Sequence, residues 1–70
     1  MTWQYRVMRR KIQGCWEYGI YEVFSNEKGK VEGWTEDKVS PAGRTLKELK
    51  SDFKCYREAF SLPVLDYEIF

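Results

Sequence analysis

The residues best suited to chemistry in this sequence are two cysteines, one pair of adjacent acids and one basic cluster, and histidine is absent altogether. Without imidazole, Ser-His-Asp and Cys-His catalysis are unavailable, because their general base is missing. Cys15 and Cys55 stand 40 positions apart, which excludes a Cys-x-x-Cys redox pair or zinc knuckle. Either thiol would need Lys or Arg to hold it ionised, so buried, inert cysteine is expected. Glu36 and Asp37 could bind a cation or act as acid and base. Hard cations take about six or more oxygens, however, and no calcium-loop spacing surrounds this pair, so a solvated turn is the expectation. No catalytic residue, metal site or cofactor is anticipated, and the chain reads as non-enzymatic.

The basic cluster is Arg6, Arg9, Arg10 and Lys11, close in sequence to Trp3 and Trp16. Cations beside aromatic rings can bind phosphate while bases stack. Strand alternation puts Arg9 on the face opposite Arg6 and Arg10, and a charged edge strand protected against aggregation explains the same residues. Globally, 12 Lys and Arg against 11 Asp and Glu give +1, which is not a strongly basic footprint.

These residues have to be positioned by a small fold. Seventy residues make one domain, spanning 1–70, and a chain of this size removes only about 60% of its unfolded surface from water on folding. Three Trp, five Tyr and four Phe supply large side chains for the core. No segment approaches the roughly 20 continuous apolar residues of a membrane span. Met1 to Arg6 carries no apolar run of signal-peptide type, so a reducing cytoplasm and two separate thiols are expected.

Residues 3–10 alternate, with Trp3, Tyr5, Val7 and Arg9 on one face, as in a half-buried strand whose Tyr5 and Val7 point inward. Lys11-Ile12-Gln13-Gly14 supplies a turn. A second strand covers 15–25. Either a bulge near Tyr21 and Glu22 lets Trp16, Tyr18, Ile20 and Val23 share the inner face, or Tyr21 and Val23 face inward and Trp16 outward. Asn26-Glu27-Lys28-Gly29 has the residues of a type I turn with a left-handed Gly. Val31 and Trp34 in the third strand, 30–35, share a face only if Gly33 marks an irregularity. Residues 36–44, with Ser40-Pro41 and Gly43, form a loop.

Thr45-Leu46-Lys47-Glu48 matches a capping box, in which the threonine hydroxyl accepts the Glu48 amide and the glutamate reaches back to the threonine amide. The helix it opens carries Leu46, Leu49, Phe53, Tyr56 and Phe60 on one stripe, expected to cover the sheet, with Lys47, Lys50, Lys54, Arg57 and Glu58 solvated. Pro63 ends it near Ser61. Residues 64–70 could add a fourth strand. The order β-β-β-α, with a final β open, gives an α+β domain: a three-stranded antiparallel sheet against one amphipathic helix.

Trp3-Gln4-Tyr5-Arg6, Trp34-Thr35-Glu36, Gly43-x-Thr45-Leu46-x-Glu48-Leu49 and Pro63-Val64-Leu65-Asp66 together resemble a family of small bacterial proteins to which no activity is attached. More distantly, three strands followed by Gly-x-Thr-Leu-x-Glu-Leu resemble the partial RNase-H-like domain of HicB-type antitoxins, which implies a toxin- or protein-binding module. The DNA-binding segment of that family is lacking, so operator binding is not implied.

The expected function is therefore protein binding in the cytoplasm of a bacterium or phage host, as a homodimer or as an antitoxin-like or phage-type inhibitor of a partner. Exposed aromatics and one acid supply the candidate contact residues: Trp3, Trp16, Tyr21, Phe24 and Trp34, with Glu36, the last two within the Trp34-Thr35-Glu36 block that loop construction does not demand. The alternative is a nucleic-acid-binding module using Arg6, Arg9, Arg10 and Lys11 with the aromatic sheet face.

Overall fold

The computed structural model describes residues 1–68; Ile69 and Phe70, the end of the anticipated fourth strand, lie outside the described residues. Two long strands, β1 (Thr2–Ile12) and β2 (Cys15–Ser25), form an unbroken antiparallel hairpin from Thr2↔Ser25 to Ile12↔Cys15. Only Gln13 and Gly14 connect them, at φ 50 and 82. Positive φ at both central positions matches the right-handed twist of the flanking strands, so the expected four-residue turn shrinks to two and β1 gains Lys11 and Ile12.

That unbroken register overturns the bulge at Tyr21 and Glu22. Strict alternation instead sends Tyr21 and Val23 to the face shared by Met8, and Trp16, Tyr18 and Ile20 to the other. A real irregularity lies next door, where β3 (Val31–Trp34) pairs with β2 and the register shifts between Phe24 and Ser25. One extra residue there lets Val31 and Trp34, three apart, both pack on the same cluster. The turn before β3 forms as its residues suggest. Asn26 Oδ1 accepts from the Lys28 and Lys30 amides, and the Gly29 amide donates to the Asn26 carbonyl at 3.0 Å.

The helix α1 runs over Leu46–Arg57 and tightens into a 3-10 turn, Glu58–Ser61, before Leu62 turns extended ahead of Pro63. The chain then returns along the free side of β1 as β4 (Leu65–Asp66), parallel to it, so the sheet order is β3-β2-β1-β4. The architecture is α+β, a four-stranded mixed sheet with one helix.

The core is not where the amphipathic helix would put it. Met8, Tyr21 and Val23, exposed by 0%, 1% and 1%, form a cluster on the sheet face opposite Tyr5 and Val7. Trp34, Leu65 and Tyr67 cover them, with Tyr67 set between the rings of Tyr21 and Trp34 at centroid distances of 5.6 and 5.5 Å. On the helix side, Val7 and Ala59 are buried and the Tyr5 and Tyr56 rings stack at 4.1 Å. The 3-10 turn, rather than α1, makes the main helical contact with β1. None of the helices among the described residues is long and apolar enough to cross a membrane.

Candidate functional site

Helix α1 is seated by polar groups. The Thr45 hydroxyl accepts the Glu48 amide at 3.1 Å, as the sequence predicts, but the Glu48 carboxylate accepts the Arg44 amide at 3.0 Å, one residue earlier than an ideal capping box. Asp52 accepts the Ala42 amide at 2.9 Å, and the Tyr56 hydroxyl donates to the Ser40 carbonyl at 2.9 Å. Glu48, Asp52 and Tyr56 are four apart and form one ridge along which the loop before the helix is anchored; Glu48 stays exposed, Asp52 is half-buried and Tyr56 is buried. Gly43 permits the close approach, because a Cβ there would lie 2.6 Å from the Leu49 amide nitrogen and 2.8 Å from the Glu48 carbonyl carbon.

With the helix anchored along this ridge the apolar stripe faces mostly outward, which corrects the expectation that the stripe covers the sheet. Of its five members only Tyr56 is buried; Leu46, Phe53 and Phe60 are 66%, 54% and 71% exposed, and Leu49 is exposed as well. Leu49 and Phe53 line a shallow, open recess of ≈ 400 Å³ together with Lys50, Lys54 and Arg57. The two ion pairs among the described residues, Arg9 with Asp66 and Lys38 with Glu17, involve none of these cations. An apolar strip with an unneutralised basic margin is an exposed feature that the fold's own contacts leave unexplained.

The residues singled out from the sequence fall into three places. Trp3 and Phe24 are cross-strand neighbours on the helix side, and Trp3 meets Tyr5 edge-on at 5.1 Å. Trp16 lies on the same face at the other end of the hairpin, beneath Arg9 and Lys11 at 4.4 and 5.4 Å. Tyr21 is buried in the opposite face and presents no contact surface, which corrects its candidacy. Trp34 packs on that same cluster, and Glu36 is exposed with its carbonyl 3.4 Å from the Tyr67 hydroxyl. The Trp34-Thr35-Glu36 block therefore helps to build the fold. Thr35 completes it, since its amide bonds the Glu22 carbonyl and its hydroxyl accepts from the Glu22 amide and donates to the Asp37 carbonyl.

The basic cluster divides as alternation requires. Arg9 and Lys11 flank Trp16, whereas Arg6 donates to the Pro63 carbonyl at 2.7 Å and Arg10 lies over the Tyr67 ring at 4.2 Å on the opposite face. Burial lowers the pKa of Arg6, and a hydrogen bond with Tyr21 raises that of Arg10. Burial, then the neighbouring Tyr56 hydroxyl, push Tyr5 above the usual phenol range. Cys15 and Cys55 are free and exposed, not buried as expected. Among the described residues no group of three or more Cys, Asp or Glu is placed to hold a metal ion. Leu46, Leu49, Phe53 and Phe60 were visible in the sequence as a stripe, but a stripe alone reads as core.

No family model matches the chain, and neither a curated protein nor a solved structure matches it significantly.

Proposed function

We propose that this protein is a small, non-enzymatic protein-binding module whose docking surface is the outward stripe of α1. The observation that carries this reading is the exposure of Leu46, Leu49 and Phe53 on one side of α1, with Phe60 exposed in the 3-10 turn that follows. Each apolar Å² that such a surface hides on association contributes about 25 cal/mol, and large side chains at the centre of a contact dominate its energy. An antitoxin-like or phage-type inhibitor falls within this class. Two exposed free thiols suit a reducing cytoplasm.

A second reading has one specific observation in its favour: Arg9 and Lys11 both lie against Trp16, a combination that suits single-stranded nucleic acid. It has lost half of its charge, since Arg6 and Arg10 face the other way. A photo-cross-linking amino acid placed at Phe53, and separately at Trp16, distinguishes the two in cells. Protein adducts at position 53, to another copy or to a different protein, are expected. Nucleic-acid adducts at position 16 with none at 53 would refute the proposal.

A further inference from the structure

Resting on that reading, we infer that the stripe of α1 takes an acidic amphipathic helix of a partner protein, rather than a second copy of this chain. Charge distribution around the helix carries the inference. Its carboxylates are already committed or point elsewhere: Glu48 and Asp52 hold the Arg44 and Ala42 amides, and Glu58 lines the groove with Trp3 between the helix and β1. The other residues lining the recess with Leu49 and Phe53 are Lys50, Lys54 and Arg57, with no carboxylate among them.

An antiparallel symmetric pair of copies would set Lys50, Lys54 and Arg57 against their own counterparts, and a parallel one would set them against Glu48 and Asp52, whose carboxylates already hold the Arg44 and Ala42 amides. An acidic amphipathic helix meets the opposite condition. Leucines spaced three and four apart enter the recess beside Leu49 and Phe53, ridge into groove. Glutamates along their margin then reach Lys50 and Lys54, and Arg57 offers a planar fork to a carboxylate. The concave shape favours such a ridge over a flat lipid surface.

The test uses the full chain and a fluorescent helical peptide of about 18 residues, long enough to span α1, built on the repeat Leu-Glu-Glu-Leu-Leu-Glu-Glu, with a control in which every Glu is Lys. Anisotropy should show the acidic peptide binding at least about tenfold tighter than the basic one, with affinity falling as salt rises. Phe53→Ala should weaken it about tenfold, as loss of a central aromatic contact does. K50E/K54E should invert the preference between peptides. These side chains are exposed, so each variant should keep the wild-type circular dichroism spectrum.

Equal binding of both peptides, still lost in Phe53→Ala, would overturn the acidic occupant while leaving the docking surface intact. No binding of either peptide, with sedimentation showing a dimer that Phe53→Ala dissociates, would identify a second copy and overturn the inference but not the proposed function. Binding to vesicles containing anionic lipid, abolished by Phe53→Ala and without peptide binding, would overturn both.

Discussion

Adding one methyl group at Gly43 and at Gly19 should have opposite consequences, although the Cβ would come within 2.6 Å of a neighbouring heavy atom at both positions. At Gly43 the obstacle is backbone: the Leu49 nitrogen and the Glu48 carbonyl carbon, held in the first turn of α1. Relief requires the 42–44 segment to lift away, which loosens the Ala42–Asp52 and Arg44–Glu48 hydrogen bonds that seat the helix. Overpacking of this kind costs about 1–3 kcal/mol, and the reduced freedom of the unfolded chain returns about 0.4–1 kcal/mol, leaving Gly43→Ala destabilised by about 1–2 kcal/mol. At Gly19 the obstacle is the Lys38 stem, which can rotate aside at the loss of an exposed ion pair with Glu17. Such pairs contribute about 0–1 kcal/mol, a loss the gain in the unfolded state offsets, so Gly19→Ala should stay within about 0.5 kcal/mol of wild type. Urea denaturation measures both. With a slope of about 1 kcal/mol per M, Gly43→Ala should lower the midpoint by about 1–2 M. Equal shifts in the two variants would refute the distinction between backbone and flexible side chain on which the reasoning rests.

Thr45→Ala removes the hydroxyl that caps Glu48 and should destabilise the fold by about 1 kcal/mol; an unchanged urea midpoint would show that the cap contributes nothing. Because the folded protein holds the Tyr5 proton more tightly than the unfolded chain, stability should be intact below the ordinary phenol value of 10.0 and decline as pH rises above it. Tyr5→Phe should flatten that decline, and unfolding curves recorded on both sides of the value check the sign. Both thiols should react with Ellman's reagent in the folded protein without denaturant, and protection of either would contradict its exposure.

Much of the local structure was legible because its causes are local. The Asn26-to-Gly29 turn, the Thr45 cap and the bounds of β2 follow from side-chain hydrogen bonding, backbone sterics and alternation. Where two readings of β2 stood open, the sequence had no means of choosing. Inward Tyr21 and Val23 depend on Gln13 and Gly14 closing a two-residue turn, and on Trp34 and Tyr67 arriving from opposite edges of the sheet to cover them. The candidate surface was harder still to anticipate. A period of three and four residues identifies an apolar stripe, and Leu46, Leu49, Phe53, Tyr56 and Phe60 satisfy it, but periodicity says nothing about what lies opposite.

The sequence by itself determined that this chain is α+β, that histidine-dependent catalysis is absent, and that a capped amphipathic helix follows three strands. Those conclusions need only composition and neighbours within a few positions. Tertiary structure decided which row of the helix faces inward. Hydrogen bonds with the 40–44 loop anchor Glu48, Asp52 and Tyr56, the Tyr56 ring stacks on Tyr5, and Leu46, Leu49 and Phe53 are left beside Lys50, Lys54 and Arg57 at the surface.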